Sequence, residues 1–350
     1  MNNTLVSVAI ASALSLSSFA AFAQGPDFYG RLDISLTHTD MGSTIQSGTN
    51  NLKKDESGTY FENNFSLVGV KGAEKISDNL EILYQMEFQV ENTSGSGDTF
   101  KARNTYLGLK NQAGTLLFGR NDTVFKQSEG GIDLFGNTNA DIDRVTGGQI
   151  READGIWYYS PLLADMVGFN ATYLMEDNQD TDDSQYALSV TLGDKSLKSH
   201  NFYVAGAYNK AIGNIDAYRA VAQVKLAKFK LGGLFQNSES NLDSAFDGNS
   251  YFVNLSYDLN GVNLKAEYGM DESGLGKYFQ NISSIKPKAG TATNLSDINV
   301  QSITVGADYR LAKSTLVFAH YAMYQGDYTV TNKVDLEDDN VLSVGIRYDF

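Results

Sequence analysis

No cysteine occurs in the 350 residues, so a disulfide framework, thiolate chemistry and Cys-ligated metals are excluded. The fold must be held by hydrogen bonding and packing alone. Only three histidines are present, His38, His200 and His320, on distant segments, and no G-x-S-x-G elbow accompanies them. A hydrolytic Ser/His pairing therefore has little to stand on. Basic residues are outnumbered, 27 against 42 acids for a formal net charge of −15, which argues against nucleic acid as a partner, since binding it needs a basic footprint. Long apolar runs are missing after the first 23 residues. That excludes a helical membrane protein but not a membrane barrel, whose lumen-facing half is polar. Proline is scarce at 3, beside Gly 33, Tyr 20 and Phe 19, a β-rich and aromatic-rich profile.

The exception is Met1 to Ala23, a small-residue apolar run ending Ala21-Phe22-Ala23, the A-x-A shape of a signal-peptidase site. Residues 1–23 thus read as a signal peptide, with the mature chain running from Gln24. Its n-region lacks Lys and Arg. The serine and alanine content and the cleavage motif argue against a transmembrane anchor.

The remainder alternates. In Phe28 to Thr37, Leu32, Ile34 and Leu36 interleave with Arg31, Asp33, Ser35 and Thr37, the period of a strand with one apolar and one polar face. Residues 80–89 repeat the pattern. Further strands are expected at 61–71, 101–110, 114–122, 155–160, 167–176, 186–193, 200–209, 215–226, 228–237, 249–258, 262–270, 299–309, 314–325 and 339–350, sixteen in all. Connections alternate between short turns, such as Asn111 to Gly114 and Leu259-Asn260-Gly261, and long polar stretches at 39–60, 92–100, 123–154 and 271–298. Short turns on one rim and long loops on the other, with an even strand number, are the pattern of outer-membrane barrels.

Sixteen strands enclose a space too wide for side chains to fill, so the apolar face must point outward to lipid. In hydrocarbon no edge can stay unpaired, which forces closure. Aromatics at strand ends, among them Tyr29, Tyr84, Phe118, Tyr158 and Tyr348, suit interfacial girdles.

One stretch breaks the rhythm. Between Phe118-Gly119-Arg120 and Ile156-Trp157-Tyr158-Tyr159 lie about thirty residues without sustained apolar periodicity, longer than an ordinary connection. They carry Glu129, Asp133, Asp141 and Asp143 around a Gly-rich middle, with Arg120 before and Arg151 after. A loop folded into the lumen, its acids facing wall arginines, is one reading; a solvated surface loop is the other.

The final strand, Val341 to Phe350, alternates strictly and ends on an aromatic, like the assembly signal of outer-membrane barrels. With Phe28-Tyr29-Gly30-Arg31, Gly69-Val70-Lys71-Gly72, Tyr106-Leu107-Gly108-Leu109-Lys110, Phe118-Gly119-Arg120 and Tyr159-Ser160-Pro161, the chain resembles the general trimeric porins of Gram-negative outer membranes over its whole mature length. The resemblance implies a sixteen-stranded homotrimeric channel without cofactor or metal, set in outer-membrane lipid and lipopolysaccharide and delivered by the barrel assembly machinery. Ions and small hydrophilic solutes would pass passively. Its third external loop would form an eyelet in which Glu129, Asp133, Asp141 and Asp143 face Arg31, Arg120 and Arg151, with Phe350 as the assembly signal. Two positions depart from the family pattern: Leu67 stands where an arginine is common, and Leu134 rather than an acid precedes Phe135-Gly136. Arg120 also shares strand parity with Leu116 and Phe118, so its inward aim needs a break at the strand end.

Rival readings share the barrel. A substrate-selective porin would line its pore with a denser basic ladder, for which Arg219, Lys225, Lys228 and Lys230 are candidates. A plugged adhesive barrel and an enzymatic barrel are the others. Calcium binding at 176–183 fails the EF-hand frame, because Asp183 falls where glycine is required and Ser189 where the bidentate glutamate belongs.

Overall fold

The computed structural model describes residues 25–46, 55–91, 98–175 and 184–350. The leader at 1–23 and the acidic run at 176–183 lie outside them.

Sixteen antiparallel strands form one closed sheet: β1 Asp27–Thr39, β2 in two pieces Gly58–Asn63 and Leu67–Ser77, β3 Leu80–Val90, β4 Phe100–Asn111, β5 Gly114–Asp122, β6 Arg151–Tyr159, β7 Val167–Leu174 and β8 Tyr186–Gly193. The second half continues with β9 Phe202–Lys210, β10 Ile215–Leu226, β11 Phe229–Ser240, β12 Asp247–Leu259, β13 Val262–Asp271, β14 Ser296–Ala312, β15 Thr315–Thr329 and β16 Asp339–Asp349. Each strand pairs with its successor, and β16 returns to β1, with Arg31 opposite Asp349 and Thr39 opposite Val341. All sixteen expected strands are present. A short piece, Lys333–Asp335, pairs only with the outer end of β15.

Two local differences have physical causes. β2 is broken at Asn64-Phe65-Ser66, where Phe65 takes a φ of 57°. Side chains replace the lost ladder there: Asp33 N donates to Ser66 Oγ at 3.0 Å and Ser66 N to Asn63 Oδ1 at 2.8 Å. β6 starts at Arg151 rather than 155, because Asp122 and Arg151 still pair across the sheet after a register shift between Gly119 and Asn121.

The burial pattern is inverted relative to a water-soluble protein. Leu107, Leu109, Leu116, Phe118, Val253, Leu255, Ile303, Val305, Leu342 and Val344 are exposed on the outer face, while Gln223, Gln236, Asn254, Ser302, Thr304 and Ser343 are buried on the inner one. A surface of that kind suits hydrocarbon, and the closed register leaves no unpaired edge within it. Closure is tight at the first and last strands. Gly30 N donates to Phe350 O at 2.9 Å and Phe350 N to Gly30 O at 3.0 Å. A Cβ on Gly30 would stand 2.3 Å from Phe350 Cζ, so only glycine lets the ring lie over this rung.

Apolar packing inside the barrel sits between the wall and the loops. Val124, Phe125, Ile132, Phe135, Ile142 and Val145 meet Trp157, Tyr203, Leu234 and Phe252, and a second group, Phe246, Tyr278 and Phe279, lies with the long loops.

Candidate functional site

The connection from β5 to β6, residues 123–150, opens with helix α1, Val124–Gln127. Thr123 caps it by accepting from Lys126 N at 3.1 Å. A single 3-10 turn, Ile142–Arg144, follows and is capped by Asp141. Hydrogen bonds tie this third loop to inward-facing groups over most of the barrel's circumference. Val124 N donates to Thr172 on β7 at 3.0 Å, and Tyr203 on β9 donates to Ser128 O at 3.0 Å. Gln223 on β10 reaches Gly131 O at 2.9 Å, and Gln236 on β11 reaches Gly147 O at 3.1 Å. Asn254 on β12 donates to Ile132 O, and Lys265 on β13 to Leu134 O at 2.6 Å.

The deepest anchor is Asn139. Its Nδ2 donates to Glu62 Oε2 at 2.6 Å and to Ser343 Oγ at 2.8 Å, and its Oδ1 lies 2.8 Å from His320 Nε2. Tyr324 OH donates to the Asn139 carbonyl at 2.9 Å. Two cations are stacked on the loop's aromatics, Arg219 4.1 Å above Phe125 and Lys265 4.4 Å above Phe135.

These contacts leave the wall at β3 and β4 facing the gap, where Gln85, Glu87 and Arg103 bond to the wall and not to the loop. A polar cluster lines it: Arg103 pairs with Glu87 at 2.6 Å, Tyr29 OH donates to Glu87 at 2.9 Å, Gln85 to Tyr29 at 2.8 Å, and Tyr106 OH to Gln85 at 2.9 Å.

The four loop acids lie together, and two of the carboxylates, Asp133 and Asp141, shape the loop. Asp133 accepts from Phe135 N at 2.9 Å and Ile142 N at 3.1 Å; Asp141 accepts from Asn137 N at 2.7 Å and Asp143 N at 3.0 Å. Burial raises both acids, with Asp141 adding to the rise at Asp133 and Asp143 to that at Asp141. Burial also pushes Glu129 up to about 7, opposed by Arg219. Asp143 goes the other way: burial acts against it, but Arg144 at 2.7 Å and Lys277 from the β13–β14 loop hold it below the ordinary carboxylate range.

Two of the three arginines take ion-pair partners on the wall. Arg31 pairs with Asp349 at 2.8 Å, and Arg151 pairs with Asp122 at 3.1 Å and donates to Asn104. Arg120 stands opposite Thr105 at the β5 register shift, with Glu152 as its electrostatic neighbour and its Nε without a hydrogen-bond partner. Among the described residues no ion pair joins these arginines to the loop acids; the cations beside the acids include Arg144, Arg219, Lys277 and Lys126. Sequence reasoning missed Arg103, Arg144 and Lys277 as members of this site. Arg103 sits beside the irregularity between Met86 and Phe88 in the β3–β4 register, which simple alternation along β4 does not reveal.

The outer mouth is narrowed by neighbouring loops. Asn281, in the β13–β14 loop's helix α2 (Lys277–Ile282), donates to Ser43 O at 2.9 Å, and Tyr278 OH donates to Glu337 O at 2.9 Å.

A family model described as Gram-negative porin matches residues 8–329. Major outer membrane protein P.IB of Neisseria sicca is 22% identical over 288 residues, covering 75% of this chain and 79% of that protein. Outer membrane porin F of Escherichia coli is 26% identical over 330 residues, covering 82% and 83%. Among solved structures, the trimer form of OmpT, an outer membrane protein of Vibrio cholerae, superposes with a TM-score of 0.64 at 18% identity, covering 94% of this chain and 100% of that chain. Salmonella typhi OmpF in complex with daunomycin gives 0.64 at 15% identity, covering 93% and 97%.

Proposed function

The chain belongs to the Gram-negative porin family, and on that premise we propose how its lumen sorts solutes. It is a general diffusion porin, a water-filled β-barrel of the outer membrane through which ions and small hydrophilic solutes pass passively.

The constriction is the gap between the third loop and the wall around β3 and β4, flanked by β1 and β6. Glu129, Asp133, Asp141 and Asp143 stand on the loop side; Arg31, Arg120 and Arg151, joined by Arg103, stand on the wall. The loop acids act through the field that their ionised fraction sets across the gap, Asp143 foremost, while the hydrogen bonds of Asp133 and Asp141 hold the loop's shape. Such a transverse field orients dipolar solutes, and apolar ones must shed ordered water to pass. The observation that carries this reading is the docking of the loop on β7 to β16 and on Glu62 of β2, while the Arg103–Glu87 cluster on β3 and β4 pairs within the wall and not with the loop.

Residues 1–23 serve as the export leader and Phe350 as the assembly signal read by the barrel assembly machinery. Three copies associate within the lipid and lipopolysaccharide of the outer membrane, a reading supported by the trimer form of the Vibrio protein. The barrel works without catalysis. Ser199 lies 3.4 Å from His200, but the nearby acid, Asp194, accepts from Ser199 itself, so the serine–histidine–acid order is absent there.

Single-channel conductance in a planar bilayer under a salt gradient tests the proposal, comparing wild type with Asp133→Asn/Asp141→Asn. Openings in steps of three, with a reversal potential moved toward anions in the variant, are expected. An inserted barrel that does not conduct, or an unmoved reversal potential, would overturn it.

A further inference from the structure

Below the third loop the strand register lines up lysines. Lys225 stands opposite Lys230 across β10 and β11, Lys230 opposite Ser256 across β11 and β12, and Ser256 opposite Lys265 across β12 and β13. Directly opposed residues share a face, and Ser256 is buried on the inner one, so three ammonium groups occupy one inner row that holds no acid. Lys265 is engaged, with Asp308 at 3.0 Å and Leu134 O at 2.6 Å. Lys225 and Lys230 have no side-chain partner among the described residues, and like charges placed opposite one another repel, a repulsion that a bound anion would relieve.

Lys230 and Lys265 border a polar cavity of about 370 Å³ beneath Phe135, on the side of the short turns. Arg310 and Arg347 also line it, against Asp33 and Asp308. Arg347 shares Asp349 with Arg31, at 3.1 and 2.8 Å, so two guanidiniums meet one carboxylate. At about 30 Å³ per water the space holds roughly a dozen waters, enough for a compact oxyanion. Two strand steps separate Lys230 from Lys265, about 10 Å of wall, which an anion with two charged ends bridges when the side chains lean inward.

We propose that this row is a periplasmic-side subsite for compact polyanions bearing two or more phosphate or carboxylate groups. It rests on the channel reading above.

The test is block of the open-channel current by pyrophosphate and, separately, citrate, each added to one side of the bilayer and then the other. Saturable block by either anion from the short-turn side is expected, with the half-blocking concentration at least tenfold higher in Lys225→Gln/Lys230→Gln. Persisting chloride current in that variant establishes that it is folded and inserted. Equal block of variant and wild type, or a non-saturating effect matched by sulfate at the same ionic strength, would overturn the subsite. A wild-type channel that conducts without being blocked removes the subsite and leaves the porin reading intact; no conductance removes that reading itself.

Discussion

Replacing Asn139 with alanine removes the pin that holds the third loop against β15, β16 and β2. The carboxamide bonds Glu62 at 2.6 Å, Ser343 at 2.8 Å and His320 at 2.8 Å, all in a fully buried position. Glu62 keeps the backbone N–H of Gln46 at 2.6 Å but loses its side-chain amide donor. Ser343 keeps Thr37 as a partner at 2.8 Å, so the cost is carried by the lost bond to a buried carboxylate and the one to a neutral ring, together about 3 kcal/mol. At 1.4 kcal/mol per tenfold, the equilibrium between docked and displaced loop shifts by roughly a hundredfold. Single-channel recording reads this directly: Asn139→Ala should spend far more time in altered conductance levels and gate at lower voltage. Heat-resistant migration of the folded barrel on gels checks that the wall itself survives. Wild-type noise and wild-type gating in a folded variant would refute the idea that these contacts hold the loop.

Glu129 gives a pH dependence. Its acid group is raised from 4.5 to about 7 by burial, so the folded loop prefers it protonated; its contribution is complete below about pH 4.5 and is lost as pH rises through about 7. The full cost is about 3 kcal/mol, so channel noise should grow between pH 5 and pH 8 in wild type and stay flat in Glu129→Gln. Arg103→Gln should move the reversal potential toward cations, because Arg103 pairs with the wall and not with the loop, and should lower barrel stability, because Glu87 stays buried without its cation; an unmoved potential would place the field elsewhere.

Much of the wall is written in strict alternation, because the outer face meets lipid and the inner face meets water. Leu342, Val344 and Ile346 against Ser343, Gly345 and Arg347 show how plainly a strand can be read from such a pattern. What alternation cannot carry is the exception to a ladder. The break at Phe65 depends on Asn63 and Ser66 satisfying backbone groups locally, and the irregularity beside Arg103 depends on its partner strand. The loop was legible as an anomaly but not as a packed object. Val124, Phe125, Ile132 and Phe135 lack helical or strand spacing because they fit the inner wall piece by piece. The partners of Asn139 lie at positions 62, 320 and 343, and nothing near residue 139 announces them.

The closing rung also bears on how such a barrel comes into being. The Arg31–Asp349 pair joins residues 318 positions apart, and until that contact forms the growing sheet has two raw edges however many hairpins are complete. Each edge offers itself to any other extended chain. Contacts of such long range are slow to find, so the dangerous interval lasts until β1 and β16 meet. Closure is a single irreversible-looking step for the whole sheet: damage at this seam should leave assembled hairpins without a barrel, whereas damage of equal energy in a mid-wall turn should leave a barrel with a blemish.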